Sequence, residues 1–161
     1  MSLSPNNPTE AFAALASGFC AWCEAPSPEI DKEASAASWL ARLYASALAL
    51  PAVETESDDG LPDIPEDELD RARRQLASFN GWYYREFFDP DPTLEDDACM
   101  GDVGDDLLDT YKDIKAANIL FEQGAVNEAL WHWSFSHRIH WGRHAVGALL
   151  ALHCGVISKR E

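Results

Sequence analysis

Residues 102–154 read DVGDDLLDTYKDIKAANILFEQGAVNEALWHWSFSHRIHWGRHAVGALLALHC, and their periodicity decides the fold. Val103, Leu107, Tyr111 and Ile114 recur at three- and four-residue spacing, as one face of a helix requires. The spacing predicts a helix over about Asp102–Gln123, with Asp102 as its N-cap. Gly124 and Ala125 turn the chain, and Asn127 is placed to cap a further helix reaching about Cys154. That last helix would be about 40 Å long at about 1.5 Å per residue, enough to form the spine of a bundle. Gly142 and Gly147 are its expected points of bending. A turn this short makes the two helices an antiparallel hairpin, in which residues at equal height have numbers summing to about 250.

Three more helices are expected upstream, and no strand. The first runs over about Thr9–Glu24, with Phe12, Leu15, Phe19 and Trp22 on one face. Ser27-Pro28 supplies a cap and a first-turn proline for a second, which continues to about Leu50 and is stopped by Pro51. A third is expected over about Glu66–Phe88, facing Leu69, Ala72, Leu76, Phe79, Tyr83 and Phe87 inward, with Gly81 a weak point. Acidic linkers near residues 51–65 and 89–101 separate these elements. The expected architecture is all-α: one domain over residues 1–161, a bundle of about five helices ending in the long antiparallel hairpin.

Twelve Lys and Arg stand against 28 Asp and Glu, a formal charge of −16. So acidic a chain is a poor fit to nucleic acid, whose phosphates call for clustered Lys and Arg, and to anionic lipid. Its expected partner is a basic protein or a cation. The longest apolar stretches are interrupted by Arg42, His140, Arg143 and His144, so no segment reads as membrane-spanning. With no basic residue before Lys32 to open a secretory signal, and only 4 cysteines, a cytoplasmic protein with reduced thiols is expected. The charge is uneven: residues 1–113 carry −18 and residues 114–161 carry +2, and all 5 histidines lie between His132 and His153.

On a helix, Asp102, Asp106, Asp109 and Asp113 share an arc of about 60°, with Asp105 just outside it. His137, His140 and His144 share a similar arc of the next helix, together with Leu130, Trp133, Ala148 and Ala151. The hairpin register brackets His140 with Asp109 and Asp113, and His144 with Asp106 and Asp109. The leading reading is structural: Asp–His hydrogen bonds that lace the two helices of a non-catalytic protein together, since a buried imidazole needs partners. The alternative is a divalent transition metal held by His140 and His144, one helical turn apart, with Asp106, Asp109 and Asp113. Mixed histidine and carboxylate ligands suit zinc, manganese or iron, in a bundle that could be a hydrolase. Metal-free acid–base work by a His–Asp pair ranks third. Asp102 and Asp105 have a simpler explanation as cap and dipole partner at a helix start. The aspartate arc lies opposite the apolar Val103–Ile114 face, so both faces of this helix are buried only if it is packed on two sides.

Asp105-Asp106-Leu107-Leu108-Asp109-Thr110-Tyr111-Lys112-Asp113, followed by Trp131-His132-Trp133 and His140-Trp141-Gly142-Arg143-His144-Ala145, resembles the bacterial family named domain of unknown function 5063. Leu149–His153 extends the likeness, and Phe87-Phe88-Asp89-Pro90 resembles an upstream element. The resemblance implies a small helical protein and brings no assigned activity. It carries over to Asp106, Asp109, Asp113, His140, Trp141 and His144, and not to His137; Thr110 replaces the bulkier aliphatic expected there.

Other motifs read as structure. Cys20-Ala-Trp-Cys23 has redox or zinc spacing but lies within a helix, without the strand that a thioredoxin-like site requires. Thr55–Glu66 imitates a calcium-binding loop but lacks the first aspartate and contains prolines. Trp131, Trp133 and Trp141 are expected as core and interface anchors, with Trp131 turned outward.

Overall fold

A computed structural model describes residues 7–25, 31–55 and 57–155. Its elements in chain order are α1 (Pro8–Glu24), α2 (Lys32–Ala47), α3 (Glu66–Leu76), β1 (Tyr83–Glu86), β2 (Cys99–Asp102), α4 (Val103–Glu122), α5 (Val126–Ile139) and α6 (Trp141–Gly155). The all-α class stands, with six α-helices among the described residues in place of about five. No described helix is long and apolar enough to cross a membrane.

Local chemistry explains most boundaries. Asn7 caps α1 by accepting from the Thr9 N–H, with Pro8 in the first turn. Asp31 caps α2 by accepting from Ala34; the start expected at Ser27-Pro28 lies outside the described residues. Asp102 caps α4 as expected. Its second carboxylate oxygen accepts from the Gly81 N–H, which pins the end of the α3 segment to the start of α4.

Three expectations are corrected. The third helix stops at Leu76, passes through a 3₁₀ turn at Ala77–Phe79 and turns at Gly81, whose φ of 78° favours glycine. Beyond it Tyr83–Glu86 is a strand, paired antiparallel with Cys99–Asp102 in the register Tyr84↔Gly101, so the second acidic loop ends in a strand. Tyr83 and Phe87, expected to face inward, are exposed. The long last helix is two helices, broken at His140 with φ −144° and ψ −84°. Gly142 makes the break possible sterically: a Cβ there would lie 2.2 Å from the His137 carbonyl oxygen. The α5 start lacks the expected Asn127 cap, since Ala125 takes that position without a side-chain bond.

The central element is α4 rather than the last helix. It packs against α1, α3, α5 and α6. Val103, Leu107, Tyr111, Ile114 and Ala117 are fully buried, and Thr110 and Asp106 extend the buried arc toward the aspartate side. Phe12 of α1 meets Trp133 at a ring-centroid distance of 5.0 Å in the middle of the core. The Trp133 indole donates to the Ile114 carbonyl and that of Trp141 to the Trp133 carbonyl, so both buried N–H groups are satisfied. Trp131 lies partly exposed, stacked on Phe135. Cys20 and Cys23 are buried in α1, and burial pushes both thiols up. Val53 and Ile64, from the first linker, pack against the same core.

Candidate metal centre

The site forms where α6 crosses the first three turns of α4. His144 Nδ1–H donates to Asp106 Oδ1 at 2.7 Å, matching the register sum of 250. Two turns further along α4, His140 Nδ1–H donates to Asp113 Oδ2, also at 2.7 Å. Asp109 lies between them, its Oδ2 3.7 Å from His144 Nε2. The two imidazoles stand edge to face, with centroids 4.7 Å apart. Asp106 is buried, Asp109 and Asp113 are half-buried, and His140 at the helix break is exposed.

Asp106 is fixed from two sides. Its Oδ2 accepts from the Tyr84 hydroxyl at 2.6 Å while Oδ1 holds His144. Burial, and then this bond to Asp106, raise the Tyr84 hydroxyl well above its ordinary value, so it remains a donor. Tyr84 reaches Asp106 across α6 because position 147 is glycine: a Cβ there would lie 2.3 Å from the tyrosine oxygen. The hydrogen bond to Asp106 raises His144 above the usual histidine range despite partial burial. Lys112 Nζ lies 3.3 Å from Asp109 Oδ1, on the outer side of that carboxylate.

All five residues singled out from the sequence therefore meet at one place, in two roles. Asp106 and Asp113 occupy the Nδ1 atoms of the histidines. Among the described residues, Asp109, His140 and His144 form a group whose ligand atoms lie within 4.8 Å of one another. Ligands about 2.1 Å from one ion are at most about 4.2 Å apart. Three donors on one tetrahedral ion lie about 3.4 Å apart, so the trio would draw together by up to about 1.4 Å from its 4.8 Å limit, which the exposed His140 leaves room for. His137 departs from this face. It packs against Tyr44 and Trp141, each with centroids 4.7 Å away, and burial lowers its pKa.

Four contributors escaped the sequence reading: Tyr84, Glu86, Phe88 and Arg143. The first two alternate along β1, in a segment whose helical spacing was mistaken for a continuation of α3. The signal that could have found them is the pair of glycines, Gly101 and Gly147, both of which leave room for the Tyr84 side chain. A pocket of about 320 Å³ opens beside the histidines, with Arg138, Arg143 and Glu86 in its wall and Phe88 at its edge.

The family model for the domain of unknown function 5063 matches residues 4–158. The chain belongs to that family. No curated protein matches it. Protein BF1032 from Bacteroides fragilis, known from a crystal structure, is similar in fold, with a TM-score of 0.72. The likeness covers 92% of this chain and 91% of that one at 24% identity, which shows a common fold alone. The DUF5063 match spans every residue of the Asp–His constellation, the β-hairpin and the helix break.

Proposed function

We propose that this protein is a metal-binding helical bundle, holding a divalent transition metal through Asp109, His140 and His144 and leaving coordination positions open to a ligand. The observation that carries the reading is the carboxylate behind each imidazole: both Nδ1 atoms are engaged at 2.7 Å. Metal-bound histidines characteristically donate their second ring N–H to a carboxylate, which sets the tautomer and raises ligand basicity. With Nδ1–H donating, each Nε2 keeps its lone pair for an ion.

Two histidines and one carboxylate favour zinc, manganese or iron(II) over calcium, which prefers six or more oxygens. Structural zinc takes four protein ligands, whereas three with open positions is the pattern of reactive centres. Such an ion supplies Lewis acidity and makes bound water more acidic. The chain's own residues orient the ligands: Asp106 and Asp113 hold the rings, and Tyr84 holds Asp106.

Elemental analysis of protein purified without a His tag tests the proposal. About one equivalent of metal is expected, lost in a His140→Ala, His144→Ala double variant. Sub-stoichiometric metal, unchanged in that variant, overturns it.

A second reading is favoured by the 3.7 Å separation of His144 Nε2 from Asp109, an ion-pair distance for a protonated imidazole with no metal between them. The Asp–His bonds then only join α4 to α6, and the acidic surface recruits a basic protein or a cation. On that reading the double variant melts lower with no change in metal content.

A further inference from the structure

The pocket beside the histidines has a character that the charge of the chain does not predict. The protein carries −16, yet among the described residues Arg138 and Arg143 both line this one cavity and Glu86 is the one carboxylate in its lining. Arg143 is held in place without being saturated. One of its terminal nitrogens donates to the Phe87 carbonyl and lies 3.6 Å from Glu86, beyond a good hydrogen bond. Its Nε is buried and lacks a partner. The guanidinium also lies 5.8 Å from the centroid of the Phe88 ring, within cation–π range. Phe88 and Ile139 are exposed at the pocket edge, where they give it an apolar rim. His140 and His144 form the opposite part of the same lining.

We propose that this pocket binds a small ligand bearing a carboxylate or phosphate group, with the anion held between the Arg143 guanidinium and the metal at Asp109, His140 and His144. The proposal rests on the metal reading above and names the ligand class of that centre. A guanidinium matches the planar or tetrahedral array of oxyanion oxygens with two parallel N–H donors. Metal charge opposite Arg143 gives an anion two attractive ends, and a looser Glu86 pairing is readily exchanged for it. Arg138, on the last turn of α5, adds positive charge at the mouth, and the apolar rim fits a ligand whose remainder is hydrocarbon or aromatic.

The test is calorimetric titration of the metal-loaded full chain with inorganic phosphate and, separately, with acetate. These arms identify which anion is preferred. Binding is expected in at least one arm, weakened about tenfold or more in Arg143→Gln and less in Arg138→Gln. Metal content, measured on the same samples, is expected to be unchanged in both. Arg143→Lys, which keeps charge without the fork, is expected to recover only part of the affinity. Metal held with no anion binding, or anion binding indifferent to Arg143, overturns the pocket proposal and leaves the metal reading standing. No metal held, with anion binding still dependent on Arg143, overturns the metal half and supports the arginine half. Neither metal nor anion binding overturns both.

Discussion

Helix α4 carries two polar clusters on opposite sides, and they are built on different principles. Toward α1 and α3, Lys115 Nζ lies 2.7 Å from Glu24 and 2.6 Å from Glu68, and Tyr111 donates to Glu24 at 2.7 Å. The Lys115 side chain is 13% exposed, so burial opposes its charge, and the bonds to the two glutamates override that and hold the ammonium. Toward α6, three aspartates face two imidazoles, and Lys112 reaches Asp109 alone. The first cluster joins strong opposite charges and serves as a tie between helices. The second leaves imidazole lone pairs and a carboxylate oxygen uncommitted. A polar cluster that consumes its own donors and acceptors reads as architecture; one that holds some in reserve reads as a site.

The contrast yields graded predictions. Lys115→Met leaves two acids facing one another without a cation, and should cost about 3 kcal/mol by chemical denaturation, the lower end for a broken buried pair. Metal content should not change. A loss of metal in that variant would erase the distinction between the two sides of α4.

Tyr84→Phe tests the other face. It removes one hydrogen bond to a buried carboxylate, so the stability loss should be about 1 kcal/mol. Because Asp106 is then held only by His144, metal affinity should fall about tenfold, the lower end of the range for outer-shell substitutions. Equal metal affinity in the variant and the parent would show that Tyr84 serves packing alone.

The smallest effect concerns His137, which lies outside both clusters. Burial holds its folded pKa below the unfolded value. As pH falls, the unfolded chain takes up this proton first, so His137 contributes stability above about pH 6.5 that is lost as pH falls through its folded value. Tm recorded from pH 7 to pH 5 should therefore drop less steeply in His137→Leu than in the parent. Parallel curves would mean that His137 does not sense acid.

What the sequence revealed follows the range of the forces involved. The α4 start was legible because Asp102 acts within two residues of itself, and the pairing of His144 with Asp106 because helical periodicity and a short turn fix register. The strand at Tyr83–Glu86 was not, because its partner lies 16 residues further on and pairing of that kind leaves no periodic trace in four residues. Bending near Gly142 was expected, but a full break two residues earlier, at His140, was not, for a related reason. Its backbone departs from helix at a non-glycine residue, and packing of Trp141 in the core, which no local pattern records, compensates. That break is also what separates His137 from the aspartates. On an unbroken helix all three histidines would share one face; in the folded chain two of them do.

The central claim is that Asp109, His140 and His144 hold an ion while Asp106 and Asp113 hold the rings. Titration of the untagged protein and its Asp109→Asn variant with zinc, followed calorimetrically, addresses it most directly, because the variant keeps both 2.7 Å Asp–His bonds. The account predicts one site in the parent and at least a tenfold weaker one in Asp109→Asn, at unchanged Tm without metal. Equal affinity in the two proteins, or no saturable binding in the parent, would contradict it.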